Sequence, residues 1–178
     1  KETTEELGKV EGFSNDELES LYTTIGMGAL KYFILKVDPK KKMLFDPKES
    51  IDFNGHTGPF IQYSHARIKS ILRKYSKATE QLTVSDSIVL HQKEKELVKG
   101  LYDFSNALEE AAYTFNPAVV ANYIYELTKL FNQFYNECPV LKEENETIKE
   151  FRIKLIEATA LIIKNGMKCL GIDVPERM

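Results

Sequence analysis

Hydrophobic and polar positions follow helical spacing along most of the chain. The first clear apolar stripe begins after Ser14, which stands three residues before Glu17 as the first residue of a capping box does. The segment 37–39, Val-Asp-Pro, is expected to end this helix. Gly26 and Gly28 lie inside it, where glycine costs about 1 kcal/mol relative to alanine, so we expect close packing against a neighbouring element at both.

A second long helix is predicted over about 58–78, after a short one beginning at Pro47. One face is apolar, and another carries a basic residue or histidine every four residues. The apolar face holds Ile61, Ile68, Ile71, Leu72 and Tyr75; the basic face holds His65, Lys69, Arg73 and Lys77. The polar residues 79–90 are interpreted as a linker.

The second half of the chain predicts a bundle of helices joined by short connections. One helix is expected over about 91–113 with a break at Gly100, and a second over 116–136. A third is expected over about 142–170, ended by Gly171. Compatible apolar stripes and short loops are typical of antiparallel bundles, so the pattern predicts an all-α fold.

Composition and charge narrow the class of protein. The 178 residues are 43% hydrophobic with a formal net charge of -3, which favours one folded core over disorder. The apolar stretches are far shorter than the roughly 18–20 residues of a membrane span, so no membrane role is expected. Residues 31–79 hold eleven Lys and Arg against four acids. Such a segment can engage a polyanion, although a solvated surface is the commoner explanation.

Catalytic and metal-binding patterns are absent from the sequence. It contains no phosphate loop, dinucleotide fingerprint or nucleophile elbow, and no ligand-spaced cysteine or acid accompanies its three histidines. His56 is expected to form local hydrogen bonds within a turn. Cys138 and Cys169 are interpreted as small buried side chains, and Glu94 and Glu96 as solvated surface acids.

One constellation on the 58–78 helix has the chemistry of a nucleic-acid site. Tyr63 precedes Arg67 by one helical turn, and Phe60 lies just upstream. An aromatic ring can stack on an unpaired base, and a guanidinium supplies a planar fork of donors. The alternative is that the rings are core residues and the basic face is merely hydrated. The pattern alone leaves both interpretations open.

Several longer segments are recognisable as family motifs. They are Ile25-Gly-Met-Gly-Ala-Leu-Lys-Tyr-Phe33, Ser50-Ile-Asp-Phe-Asn-Gly-His-Thr-Gly-Pro-Phe-Ile-Gln-Tyr-Ser-His-Ala-Arg-Ile-Lys-Ser-Ile-Leu-Arg73, Asn122-Tyr-Ile-Tyr-Glu-Leu127, Phe131-Asn-Gln-Phe-Tyr135, Cys138-Pro-Val140 and Asn165-Gly-Met-Lys-Cys-Leu-Gly-Ile-Asp-Val-Pro-Glu-Arg-Met178. In this order they resemble the C-terminal part of arginyl-tRNA synthetase, a class I aminoacyl-tRNA synthetase. The resemblance covers about residues 20–178 and includes the DALR-type helical anticodon-binding domain.

The resemblance implies two regions. Residues 1–57 would be a lead-in and helical bridge that packs on a catalytic domain outside this chain, and residues 58–178 the anticodon-binding domain. The family's ATP-handling motifs, His-Ile-Gly-His and Lys-Met-Ser-Lys-Ser, are absent here. The parent enzyme would ligate L-arginine to tRNA(Arg) with ATP and magnesium. This chain alone would be inactive and would hold no cofactor.

The resemblance also implies a set of tRNA-binding residues. They are Phe60, Tyr63, Arg67, Tyr135 and Met178 for the anticodon; the basic pattern of the helix itself adds Lys69, Arg73 and Lys77 for the backbone. The expected partners are tRNA(Arg) and the enzyme's own catalytic domain, with no DNA, in a cytoplasmic monomer. The competing hypothesis is a helical protein-interaction module with no nucleic-acid role.

Overall fold

The computed structural model describes residues 12–75 and 89–178, and these ranges form helices without strands. The helices are α1 (Asn15–Leu35), α2 (Pro47–Ser50), α3 (Gly58–Lys74), α4 (Gln92–Tyr102), α5 (Phe104–Thr114), α6 (Pro117–Glu137) and α7 (Glu146–Cys169). The all-α prediction is confirmed. No helix within the two described ranges is long and apolar enough to cross a membrane.

Local signals at the ends of the helices are confirmed. Ser14 Oγ accepts from Glu17 N at 3.3 Å while Glu17 Oε2 accepts from Ser14 N at 2.7 Å, which completes the capping box. Asn116 caps α6 and is followed by proline at the first helical position. Gly171 adopts a φ of 67°, the left-handed conformation that favours glycine after a helix.

The break in the 91–113 region lies at Asp103 and not at Gly100, so that prediction was wrong. Asp103 ends α4 and precedes α5, and both helices pack against α6. A Cβ on Gly100 would lie 2.8 Å from Leu130 Cδ1. This glycine therefore allows α4 to approach α6 closely, and the helix continues through it. The predicted linker at 79–90 lies largely outside the described residues, which resume at Val89.

The core lies between α3, α6 and α7, and α1 joins it through Tyr32. The fully buried Tyr32 donates its hydroxyl hydrogen to Ala121 O at 2.9 Å. Gly28 of α1 faces α3, where a Cβ on Gly58 would lie only 2.6 Å from Gly28 O. The expected close packing is confirmed at Gly28. It is wrong at Gly26, where an added Cβ meets nothing within 4 Å.

A buried ionic group joins α4, α7 and the loop between α6 and α7. Arg152 donates to Glu94 Oε1 at 2.6 Å, to Glu143 Oε2 at 2.7 Å and to Pro139 O at 2.7 Å. Only 1% of Glu94 is exposed, so its interpretation as a solvated acid was wrong. Its carboxylate is paired with a cation supplied from 58 residues away, which helical spacing does not reveal.

The two cysteines differ in environment. Cys138 is buried as expected, and burial raises the pKa of its thiol. Cys169 is exposed at the end of α7, so the buried interpretation was wrong for this residue.

Candidate nucleic-acid interface

An open cleft of about 550 Å³ lies between the C-terminal part of α3, the end of α6 and the last residues of the chain. Five of the eight predicted site residues line it: Tyr63, Arg67, Arg73, Tyr135 and Met178. These residues come from three separate segments, so the fold brings together side chains that are up to 115 positions apart in the sequence.

Arg67 lines the cleft and is held there by two aromatic rings and one amide. Its guanidinium carbon lies 4.8 Å from the centroid of Tyr63 and 5.6 Å from that of Tyr135. Its Nη1 donates to Asn132 Oδ1 at 3.1 Å, and Asn132 Nδ2 in turn donates to Ser64 Oγ at 3.1 Å. The cation–π contacts and the amide together fix the plane of the guanidinium.

The two tyrosines are supported by neighbouring rings. Tyr135 stacks on the buried Phe131 with a centroid distance of 6.0 Å and remains 37% exposed. Tyr63 meets Phe53 edge-on at 6.3 Å. A partly exposed ring on a rigid helix is a platform on which an unpaired nucleobase can stack. The cleft therefore combines stacking surface with a fixed planar donor.

Phe60 lies outside this cleft, in a separate aromatic cluster. Its ring centroid lies 5.6 Å from that of Tyr125, and the ring of His56 stacks on Tyr125 with a centroid distance of 3.9 Å. The Nε2 atom of His56 is buried without a hydrogen-bond partner among the described residues, whereas the backbone carbonyl of His56 accepts from Lys36 Nζ at 3.0 Å. Burial, reinforced by the charge of Lys36, lowers the pKa of His56.

The predicted basic face of α3 is partly covered by the end of the chain, which buries His65 and leaves Arg73 exposed. His65 is 1% exposed, with Nδ1 2.9 Å from Pro175 O, and burial lowers its pKa. Lys69 forms an ion pair with Glu176 at 3.2 Å, and Arg73 donates to Glu176 O at 2.9 Å. The alternative of a merely hydrated face therefore fails at His65, and the role of Lys69 and Arg73 in tRNA binding stays a prediction. Lys77 lies outside the described residues.

Sequence reasoning missed several residues that line the cleft. They are Phe13, Ala66, Ser70, Ile71, Lys74, Asn136 and Arg177. Arg177 lies over the ring of Phe13, with its guanidinium carbon 4.4 Å from the centroid. Asn136 directly follows Tyr135, and this adjacency could have identified it. Within 12–75 and 89–178, no three His, Cys, Asp or Glu side chains are arranged to hold a metal ion.

Comparisons with curated proteins identify close relatives. The chain is 53% identical over 175 residues to the arginine–tRNA ligase of Flavobacterium psychrophilum, a match that covers 98% of this chain and 29% of the relative. It is 49% identical over 180 residues to that of Phocaeicola vulgatus, covering 100% of this chain and 30% of the relative. The chain thus spans about 30% of the length of the curated relatives it matches, and it corresponds to their C-terminal part.

Solved structures give the same result at the level of the fold. The arginyl-tRNA synthetase of Thermus thermophilus matches with a TM-score of 0.80 and 33% identity, over 87% of this chain and 27% of that one. The enzyme from Plasmodium falciparum matches with a TM-score of 0.79 and 27% identity, over 92% and 29%. The profile of the DALR anticodon binding domain matches residues 61–178. The chain therefore belongs to the DALR anticodon-binding domain family.

Proposed function

We propose that this chain is the anticodon-binding portion of an arginine–tRNA ligase and that its cleft receives unpaired bases of the anticodon loop of tRNA(Arg). The observation that carries the proposal is the guanidinium of Arg67, held between the rings of Tyr63 and Tyr135 in an open cleft. The family and the relatives favour this function over a helical protein-interaction module.

The cleft recognises bases more than phosphates. A base stacks on the exposed ring of Tyr135, and the guanidinium of Arg67 donates to base edges or to an adjacent phosphate. A guanidinium carries five N–H donors, and among the described residues one bond, to Asn132, engages Arg67. The side-chain amide of Asn136 adds both a donor and an acceptor at the rim. The acidic balance of residues 91–178 also favours base contacts over extensive phosphate contacts.

The complete ligase joins L-arginine to tRNA(Arg) with ATP and magnesium, which bind to a catalytic domain outside this chain. The enzyme acts as a cytoplasmic monomer without binding DNA. The chain by itself forms neither arginyl-adenylate nor charged tRNA, since it lacks the ATP-handling motifs of the family. Arginine-dependent ATP–pyrophosphate exchange by the purified 178-residue chain should equal the background without protein, and exchange above that background would refute this part of the proposal.

The domain boundary proposed near residue 57 gives α1 a role in contacting the catalytic domain. Met27, Leu30 and Ile34 are exposed along one face of α1, at the i, i+3, i+7 spacing of an apolar stripe. Such a stripe on a surface helix is typical of an interface. In the complete enzyme, Ile34→Asp should lower thermal stability and aminoacylation, whereas Leu161→Asp, at an exposed position of α7, should change neither. Equal effects of the two substitutions would refute the interface.

The cleft is tested by tRNA binding to the 178-residue chain. Tyr63→Ala should weaken binding of tRNA(Arg) by about 1–3 kcal/mol, the value of one base stack. Arg67→Ala should weaken it by about 1–3 kcal/mol, the value of a bidentate contact to a base edge. Tyr113→Ala, at a tyrosine of α5 that is 89% exposed, is the matched control and should bind as the wild type does. A tRNA with another anticodon should bind all four proteins alike and more weakly.

The thermal stability of the same variants separates a binding role from a core role. If Tyr63 only supports the core, Tyr63→Ala lowers the melting temperature by several degrees and Arg67→Ala leaves affinity unchanged. Affinity that is unchanged in both variants would remove this face of α3 from the recognition surface.

A further inference from the structure

The last residues of the chain, 172–178, form a segment that lies along α3, and we call it the tail. Polar side chains on one face of α3 donate to three backbone carbonyls of the tail. The hydrogen bonds join Gln62 Nε2 to Asp173 O at 2.7 Å, His65 Nδ1 to Pro175 O at 2.9 Å and Arg73 Nη1 to Glu176 O at 2.9 Å. The acceptors follow one another along the tail in the same order as their donors follow one another along α3. The tail therefore runs parallel to α3 over about three turns.

Two of these donors are buried, so separating the tail from α3 would cost free energy. Gln62 is fully buried and His65 nearly so. A buried polar group that loses its partner bears the full desolvation penalty. Gln62 Nε2 also donates to Thr24 O of α1 at 3.1 Å, so one amide joins α1, α3 and the tail. Gly28 leaves room for this amide, since a Cβ there would lie 2.9 Å from Gln62 Cδ.

The anchored part of the tail leads directly into the cleft. The bonds at Pro175 and Glu176 immediately precede Arg177 and Met178, which line the cleft together with Tyr135. Glu176 is held further by Lys69 at 3.2 Å and Lys164 at 3.7 Å. The bonds from Gln62 and His65 and the ion pairs of Glu176 lie outside the cleft and fix where the last two residues enter it.

We propose that Gln62 and His65 are positioning residues for tRNA recognition: they hold the tail so that Arg177 and Met178 complete the wall of the anticodon cleft. The inference rests on the proposed function of that cleft. Both side chains act through the tail and not on the RNA, because both are buried beneath it.

Substitutions at His65 and truncation of the tail test this role. In binding of tRNA(Arg) by the 178-residue chain, His65→Leu should reduce affinity about tenfold, equivalent to about 1.4 kcal/mol. His65→Asn should bind as the wild type does, because the Asn amide nitrogen takes the place of Nδ1 as donor to Pro175 O. Removal of residues 177 and 178 should reduce affinity about as much as His65→Leu does.

The combination of His65→Leu with the truncation distinguishes positioning from general stability. If His65 acts through the tail, His65→Leu has no further effect on the truncated chain; an equal tenfold effect there would overturn the inference. The truncation removes no buried residue, so a truncated chain with wild-type affinity for tRNA(Arg) would also overturn the inference. Release of Met178 by carboxypeptidase should be faster in His65→Leu than in wild type and in His65→Asn. Equal rates would contradict the role of His65 in holding the tail.

The wild-type chain is the internal reference that separates the two proposals. If it shows no preference for tRNA(Arg) over a tRNA with another anticodon, the proposed function fails. If it shows the preference and His65→Leu retains full affinity, the function stands and the positioning role fails.

Discussion

Two glycines of α1, two residues apart, predict opposite effects of the same substitution. Glycine inside a helix costs about 1 kcal/mol relative to alanine, so Gly26→Ala, at a site with nothing within 4 Å of the added Cβ, should stabilise the chain by about 0.5–1 kcal/mol. At Gly28 the added Cβ would lie 2.9 Å from Gln62 Cδ and closer still to Nε2. Gln62 must then move away from the carbonyls of Thr24 and Asp173.

The expected loss at Gly28 follows from those two hydrogen bonds. Each is worth about 0.5–1.5 kcal/mol, and a buried amide without partners adds about 1–3 kcal/mol. Against the gain of about 1 kcal/mol in helix propensity, Gly28→Ala should destabilise the chain by a net of about 1–5 kcal/mol. Gly26→Ala is the matched control, because the two variants share the propensity term and differ only in the contact.

Urea unfolding followed by circular dichroism at 222 nm measures both variants on the 178-residue chain. For a chain of this size, 1 kcal/mol corresponds to about 2–4 °C in the melting temperature, so thermal melts give an independent check. Equal stabilisation by the two alanines would refute the reasoning, because it would mean that Gln62 does not occupy the space beside Gly28.

Three further predictions concern buried charge, pH and salt. Arg152→Met leaves the buried Glu94 without its cation and should lower the free energy of unfolding in urea by about 3–5 kcal/mol. Lys129→Met breaks the exposed pair with Glu126 and should lower it by less than about 1 kcal/mol. Equal losses in the two variants would contradict the stabilising role of the buried pair. The folded pKa of His65 lies below its ordinary value of 6.5. His65 therefore binds a proton at a higher pH in the unfolded chain than in the folded chain. The free energy of unfolding should fall as the pH drops below about 6.5. His65→Asn should make that fall shallower, and an unchanged pH profile would contradict it. Finally, Lys74→Ala should reduce the slope of log affinity for tRNA against log salt concentration by about 0.7, the value of one phosphate contact. Lys69→Ala should reduce this slope less, because Glu176 already pairs with Lys69. Equal slopes for the two variants would refute this prediction.

Local sequence signals predicted the helices well, and contacts between distant segments account for the errors. The capping box at Ser14 and the glycine at Gly171 depend on a few neighbouring residues, which the sequence displays directly. The break at Asp103 depends on how α4 and α5 both reach α6, and a mid-helix glycine gave the wrong signal. Glu94 could not be identified as buried, because its cation comes from α7.

In the candidate site too, local spacing predicted one contact and distant segments supplied the others. Tyr63 and Arg67 could be paired from their spacing of one helical turn, and the structure places them in contact. Tyr135 joined them through the family resemblance and not through any pattern of its own. Phe60 shares the same helix but faces Tyr125, because residues three positions apart on a helix are offset by about 60°. Nothing in the sequence of α3 indicates that its basic face is partly covered.

The contacts between the tail and the basic face of α3 change what its basic residues contribute to recognition. Lys69 and Arg73 already contact Glu176 of the tail, so a phosphate that approaches them must compete with an intramolecular partner and gains less from the contact. Because Lys69 and Arg73 are already engaged, the interface depends more on stacking and on base edges, and these are the interactions that distinguish one anticodon from another. Under the proposed function, this chain should bind tRNA(Arg) selectively, and contacts outside the cleft should supply the remaining affinity of a complete ligase for its tRNA.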